Sequence, residues 1–193
     1  MAICYYQGMK KSNLNFIWVD VEMTGLDPVN DVILEVAVLA TNSDLEPLDK
    51  GIDVTLHQSA EVMANMAEWG QEQHTLSGLT AKVAESTLTL PQAEHQLLAY
   101  VAKHTGPGLS PMCGNSIHID KLFLHKYMPQ LHNYFHYRVI DVTSVWELTR
   151  RWYPNLDRYE SRTSHRALED ITDSINRLKY LRENIFRTIV GIY

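Results

Sequence analysis

Phe16-Ile17-Trp18-Val19-Asp20-Val21-Glu22 decides the fold class of this 193-residue chain. Up to Val21 the run is almost wholly apolar, rich in β-branched and aromatic residues, as at the buried centre of a sheet. Side chains alternate across a strand, so Asp20 and Glu22 share one face, about 6.5 to 7 Å apart along the chain. Two carboxylates so close at the end of an apolar strand repel each other unless a cation sits between them. Taken alone, the pair reads more simply as a strand end reaching solvent.

Working outward, Asp27-Pro28 turns the chain, residues 32–40 read as a second strand and residues 51–57 as a third, a strand-rich meander. Helical patterns follow. Residues 60–69 are expected to be helical, with a looser stretch through Gly78. Pro91 suits the first turn of a helix carrying Leu97, Leu98 and Val101, which Gly106-Pro107-Gly108 ends. A buried strand is expected over 109–113, a helix over 120–127, a short strand over 139–142 and a helix over 144–152. The last helix carries Leu168, Ile171, Ile175, Leu178 and Leu181 at steps of three and four, with Thr163 or Ser164 as its cap. The order predicts one α/β domain over residues 13–193, a mixed sheet flanked by helices, after a ragged extension over 1–12 that is a candidate for disorder.

Hydrophobic residues make up 45% and charged residues 21%, an ordinary soluble globular balance. No apolar run approaches the roughly 18 residues that span a bilayer, so no membrane partner is expected. The start lacks the basic lead and cleavage site of a signal peptide, and Cys4 and Cys113 build no framework of bridges. Both observations predict a cytoplasmic protein. The formal net charge is −6, from 17 Lys+Arg against 23 Asp+Glu. Taken alone, that argues against coating of long nucleic acid, whose affinity comes mainly from basic side chains on phosphates. It leaves room for a nucleic-acid enzyme whose acids are neutralised by bound cations, acting on a substrate short enough to need few phosphate contacts.

Two further segments add acids. Asp120 follows a predicted strand and opens a helix, at the carboxyl end of the sheet where open α/β folds place ligands; by itself it reads as a helix cap. His165 and Asp170 stand five apart, too far to share one helix face. His165 at or before the first turn can bend toward a substrate while Asp170 acts from the helix body. Together, four acids and one histidine on element boundaries form the set needed for two-metal hydrolysis of a phosphodiester, with the histidine able to take the water's proton.

With those residues in view, the chain resembles the oligoribonucleases, a DEDDh branch of 3′→5′ exonucleases with a ribonuclease H-like fold. The likeness runs from Asn15 to about Phe186. It is most specific at residues 17–28, at Phe135-His136-Tyr137-Arg138 and at Ser164-His165-Arg166-Ala167. The resemblance implies that Asp20, Glu22, Asp120 and Asp170 hold two Mg2+ or Mn2+ ions and that His165 is the general base. It implies substrate contacts as well: Leu26 wedged against the bases, Trp69 as a stacking platform, and Ser116, Arg138, Thr143 and Ser144 around a 5′ phosphate. It further implies a homodimer in which Tyr137 and Arg138 cap the neighbouring site, with short single-stranded RNA, dinucleotides above all, as substrate. Without the family, Trp69 reads as core, Leu26 as a turn residue and Tyr137-Arg138 as an ordinary start of a strand.

His118 and Ile119 occupy a spacer where a small and a polar residue are expected, so local contacts there should differ. His132 and His136 have the spacing of a helical zinc pair but lack a third ligand, and are discounted. Two alternatives stay open: a tRNA-trimming or proofreading exonuclease of the same superfamily, and a non-catalytic RNA-binding module.

Overall fold

Strand β1 (Phe16–Met23) is the middle of a five-stranded sheet ordered β3-β2-β1-β4-β5. The computed structural model describes residues 14–161 and 165–186; the extension over 1–12 and the caps expected at Thr163 and Ser164 lie outside them. Strands β2 (Ile33–Thr41) and β3 (Ile52–Thr55) run antiparallel on one side of β1. On the other side β4 (Met112–Gly114) and β5 (Val139–Asp141) run parallel to it and to each other. The mixed sheet expected from the sequence is thus present, with β1 at the change of direction.

Among the described residues eight helices connect and cover the strands: α1 (Ala60–Ala64), α2 (Glu68–Leu76), α3 (Leu79–Glu85), α4 (Leu90–His104), α5 (His118–Tyr127), α6 (Pro129–Tyr134), α7 (Val142–Trp152) and α8 (Ala167–Asn184). Alternation divides the core between the two sheet faces. Ile17, Val19 and Val21 with Val36, Val38 and Ala40 pack on the side of α4, α5 and α6, against Leu97, Val101, Phe123 and Leu131. Trp18, Ala37 and Leu39 face the other way, toward Ala167, Ile171, Ile175 and Leu181 of α8. Asp20 and Glu22 continue the Trp18 row. The same alternation that buries Trp18 therefore aims both acids at α8.

The structure departs from the expected elements at three places. The helix expected over 60–69 is two helices broken at 65–67, and the looser stretch through Gly78 is mostly helical, as α2. Helices α3 and α6 were not anticipated; they are short, and α6 starts at Pro129 directly after α5. The strand expected over 109–113 begins only at Met112, because Ser110 donates its hydroxyl to the Asn15 carbonyl before pairing starts. Thr89 caps α4 in a reciprocal box with Gln92, ahead of Pro91.

Candidate metal centre

Strands β1 and β4 pair only at Ile17/Met112 and Trp18/Cys113, after which β4 keeps only its β5 partner, at Gly114/Asp141. The end of β4 is tight: a Cβ on Gly114 would lie 2.8 Å from the Val19 carbonyl oxygen and 2.9 Å from Ile117 Cδ1. Beyond Trp18, β1 has no β4 partner, and that opening is the cleft. Asp120, in the first turn of α5, fills part of it by accepting the Val21 N–H at 2.9 Å through Oδ1. Glu22 and Asp120 are 8% and 6% exposed; Asp20 is half-buried.

From the opposite face α8 brings Asp170. Ligand atoms of Glu22, His165 and Asp170 all lie within 4.8 Å of one another. His165 precedes α8 with φ +54°, in the left-handed region that costs a residue with a Cβ about 1 to 2 kcal/mol. Arg166 and Ala167 hold it there. Their guanidinium and N–H groups bind Glu35, with Arg166 Nη2 2.8 Å from Oε1 and Ala167 N 3.2 Å from Oε2.

The electrostatics follow from burial. Burial, then the charges of Asp120, Glu22, Asp170 and Glu35, push the Asp20 carboxyl well above its usual range. Glu22 is pushed up to about 7 by burial and then by Asp170 and Glu35, with Arg166 acting partly against them. Asp120 rises to about 8, again through burial first; hydrogen bonds from its own and Val21's N–H oppose this, while Glu22 and Asp141 add to it. Carboxylates that repel one another, beside an arginine already engaged elsewhere, are the oxygen donor set that a hard divalent cation takes.

The residues expected to meet substrate occupy two places. Trp69 on α2 stands 64% exposed, so the core reading fails; its ring meets the His165 ring edge-on at 5.4 Å between centroids. Leu26 is 70% exposed on the loop after β1. Ser116, at φ +47°, donates its N–H to Asp141 Oδ1 (2.9 Å) and to Thr143 Oγ1 (3.0 Å), and Ser144 donates to Asp141 Oδ2 (2.8 Å). Ser116, Thr143 and Ser144 are therefore gathered around Asp141, which also caps α7 through the Thr143 N–H.

Tyr137 and Arg138 lie apart from this set. Tyr137 is 73% exposed, and the pair lines an open groove of about 650 Å³ with His118, Lys121, Leu122, His125, His132 and Val139. None of Asp20, Glu22, Asp120, His165 or Asp170 lines it. The unexpected spacer residues divide here: His118 joins the groove, and Ile119 packs against the larger core. His132 and His136 do not pair, because α6 ends at Tyr134 between them; His132 packs on His125 and His136 on Tyr137.

Four contributors escaped the sequence reading as such. Glu35 did signal itself, as one acid inside an apolar strand, and Arg166 is its counter-ion. Asp141 before Val-Thr-Ser carried the pattern of a helix cap. His74 gave no signal. It is buried on α2 with Nε2 3.0 Å from the Met23 carbonyl and Nδ1 3.8 Å from Glu22 Oε2. A carbonyl only accepts, so Nε2 carries the hydrogen, and the bond ties the helix bearing Trp69 to the end of β1.

The RNase_T exonuclease family model matches residues 17–178. The mitochondrial oligoribonuclease of Bos taurus is 51% identical over 175 residues, covering 89% of this chain and 73% of that one. The chain belongs to the oligoribonuclease family. An oligoribonuclease of Shewanella loihica is 46% identical over 180 residues, covering 93% and 99% of the two chains. Membership makes the protein a hydrolase, a 3′→5′ exoribonuclease of a family that uses divalent metal ions. Among solved structures, exonuclease I of Methylocaldum szegediense superposes with a TM-score of 0.64 at 18% identity, over 89% of this chain. The zinc-bound E. coli exonuclease I–ssDNA complex gives 0.66 at 14% over 90%. This chain spans 41% of each of those longer proteins, and at such identities the likeness establishes the ribonuclease H-like exonuclease fold alone.

Proposed function

We propose that this oligoribonuclease-family protein degrades very short single-stranded RNAs, dinucleotides above all, to 5′-mononucleotides. In this reading Asp20, Glu22, Asp120 and Asp170 hold two Mg2+ or Mn2+ ions. The observation that carries it is the convergence of Glu22, His165 and Asp170 within 4.8 Å beside two further carboxyls that burial and mutual repulsion push upward. Bound divalent cations supply neutralisation of the phosphate and a lowered pKa for the attacking water. The chain's own residues do the rest. His165, fixed by the Arg166–Glu35 anchor, takes the water's proton at a ring nitrogen. Trp69 stacks on a base and Leu26 presses between bases. Ser116, Thr143 and Ser144 surround the 5′ phosphate, but they and Asp141 include no cation.

Arg138 would supply the missing charge. Because it and Tyr137 line a groove apart from their own acids, they are read as capping the site of a second copy in a homodimer. Such a cap closes the pocket after few nucleotides, which suits a net charge of −6. No helix among the described residues is long and apolar enough to cross a membrane. A cytoplasmic setting is proposed from the two-cysteine composition.

The test is a length series of 5′-phosphorylated RNAs from two to about ten nucleotides, read as initial rates. Fastest cleavage of the dinucleotide is expected. Preference for a long 3′ overhang would favour the trimming or proofreading alternative, and tight binding without turnover in either metal would favour the binding module.

A further inference from the structure

Helix α5 reaches the site at both ends. Its first turn carries Asp120; its last residues, Lys126 and Tyr127, hold the loop that follows β1. Lys126 Nζ donates to the Pro28 carbonyl at 2.6 Å, the Val29 carbonyl at 3.0 Å and the Tyr127 hydroxyl at 2.7 Å. The Tyr127 hydroxyl in turn donates to the Asp31 carbonyl at 2.6 Å. An ammonium has three N–H donors, and here each finds an acceptor.

The loop is also bonded within itself. The Thr24 N–H donates to the Val32 carbonyl at 3.0 Å and closes its neck. Asp27 accepts from the Val29 N–H and the Asn30 amide, and Asp31 from the Thr24 hydroxyl and the Asp27 N–H. Asp31 sits so close under residue 25 that a Cβ on Gly25 would lie 2.4 Å from its Oδ2. Out of this saturated frame Leu26 projects, apolar and exposed.

We propose that Lys126, seconded by Tyr127, is a positioning residue that fixes Leu26 against the substrate bases and so sharpens the preference for two-nucleotide RNA. The proposal rests on the reading of Leu26 as a base contact. Its physical content is that the loop bearing Leu26 is tied at Pro28, Val29 and Asp31 to the helix that carries Asp120, so the wedge keeps its distance from the acids. Isolated surface lysines contribute little, because four rotatable bonds must be frozen for one weak contact. Three acceptors on one ammonium spread that cost. The clamp acts on backbone carbonyls, so it sets the path of the loop and not merely its charge.

The experiment is a double-mutant cycle on Lys126→Met and Leu26→Ala, read as kcat and KM on a dinucleotide and a pentanucleotide, with thermal melts of every variant. Lys126→Met is expected to raise the dinucleotide KM about five- to tenfold while kcat changes less than about twofold, the loss of a charge-assisted clamp rather than of chemistry. The pentanucleotide should be affected less, Lys126→Arg should restore part of the loss, and Lys126→Met should add nothing in the Leu26→Ala background. An unchanged KM in Lys126→Met, where Leu26→Ala raises it, overturns the proposal. So does an equal rise in both backgrounds. If Leu26→Ala itself leaves KM unchanged, the base-contact reading falls and the proposal with it. Should Lys126→Met fold poorly, Tyr127→Phe carries the same cycle.

Discussion

Glu22 and Glu35 are partners across the β1–β2 ladder, and both are buried, yet they are opposite in character. Burial pushes Glu35 up, but the Arg166 guanidinium, the Ala167 N–H and the Thr55 hydroxyl outweigh it and leave its carboxyl below the usual range. Glu22, directly across the ladder, is pushed up by burial and meets Asp170 and Glu35 instead, so it rises to about 7. Burial is common to both; the counter-charge is not. Glu35 is a completed structural pair that sets the start of α8, whereas Glu22 belongs to the acidic array that, in the proposed function, a cation completes.

The largest expected effect breaks the array. Glu22→Gln or Asp120→Asn should lower kcat by at least about 10³-fold, beyond the 10² to 10³ that one preorganised electrostatic group is worth. Thermal melts should show either variant folded, because each removes a repelling charge. The other half of the comparison predicts the reverse. Glu35→Gln leaves Arg166 without its partner and should destabilise the fold by about 3 kcal/mol in a denaturant melt, since breaking a buried pair costs more than the pair is worth. A Glu35→Gln protein as stable as its parent would dissolve the distinction.

Trp69→Ala should act more mildly. One base–aromatic stack is worth about 1 to 3 kcal/mol, so the dinucleotide KM should rise roughly tenfold with kcat less affected. A further effect is read without substrate. Carboxyls raised in the folded state bind protons there that the unfolded chain has already released. Metal-free protein should therefore lose stability as pH rises from about 5 to 8, through the ranges of Glu22 and Asp120. Added Mg2+ should abolish that loss, and urea melts in chelator at pH 5.5 and 8 check it. Glu35 works with the opposite sign: its contribution is present above the unfolded carboxylate range and fades as pH falls through its lowered folded value.

Much of this was legible in residues 16–22. An apolar strand with acids on alternate positions located the sheet centre and the face on which Asp20 and Glu22 lie. The break between α1 and α2 was not legible, since residues 60–69 carry helical spacing and α2 has no side-chain cap to announce its start. His74 was invisible because its partners are a backbone carbonyl and an acid 51 and 52 positions away. Asp20, Glu22, Asp120, His165 and Asp170 were named from the sequence, but their proximity depends on β4 ending early and on Glu35 holding the start of α8. The early end of β4 has no local sequence signal, and Glu35 shows only as one acid inside an apolar strand, with nothing local to name Arg166 as its partner.

If the acids around Glu22 form a divalent-cation site, metal binding there must displace protons. A calorimetric Mn2+ titration of the wild-type protein at pH 6 and pH 8, in buffers of different ionisation enthalpy, tests it most directly. Binding should be tighter at pH 8, accompanied by proton release, and lost in Glu22→Gln. Binding of equal affinity at the two pH values without proton release, or binding that survives Glu22→Gln unchanged, would contradict it.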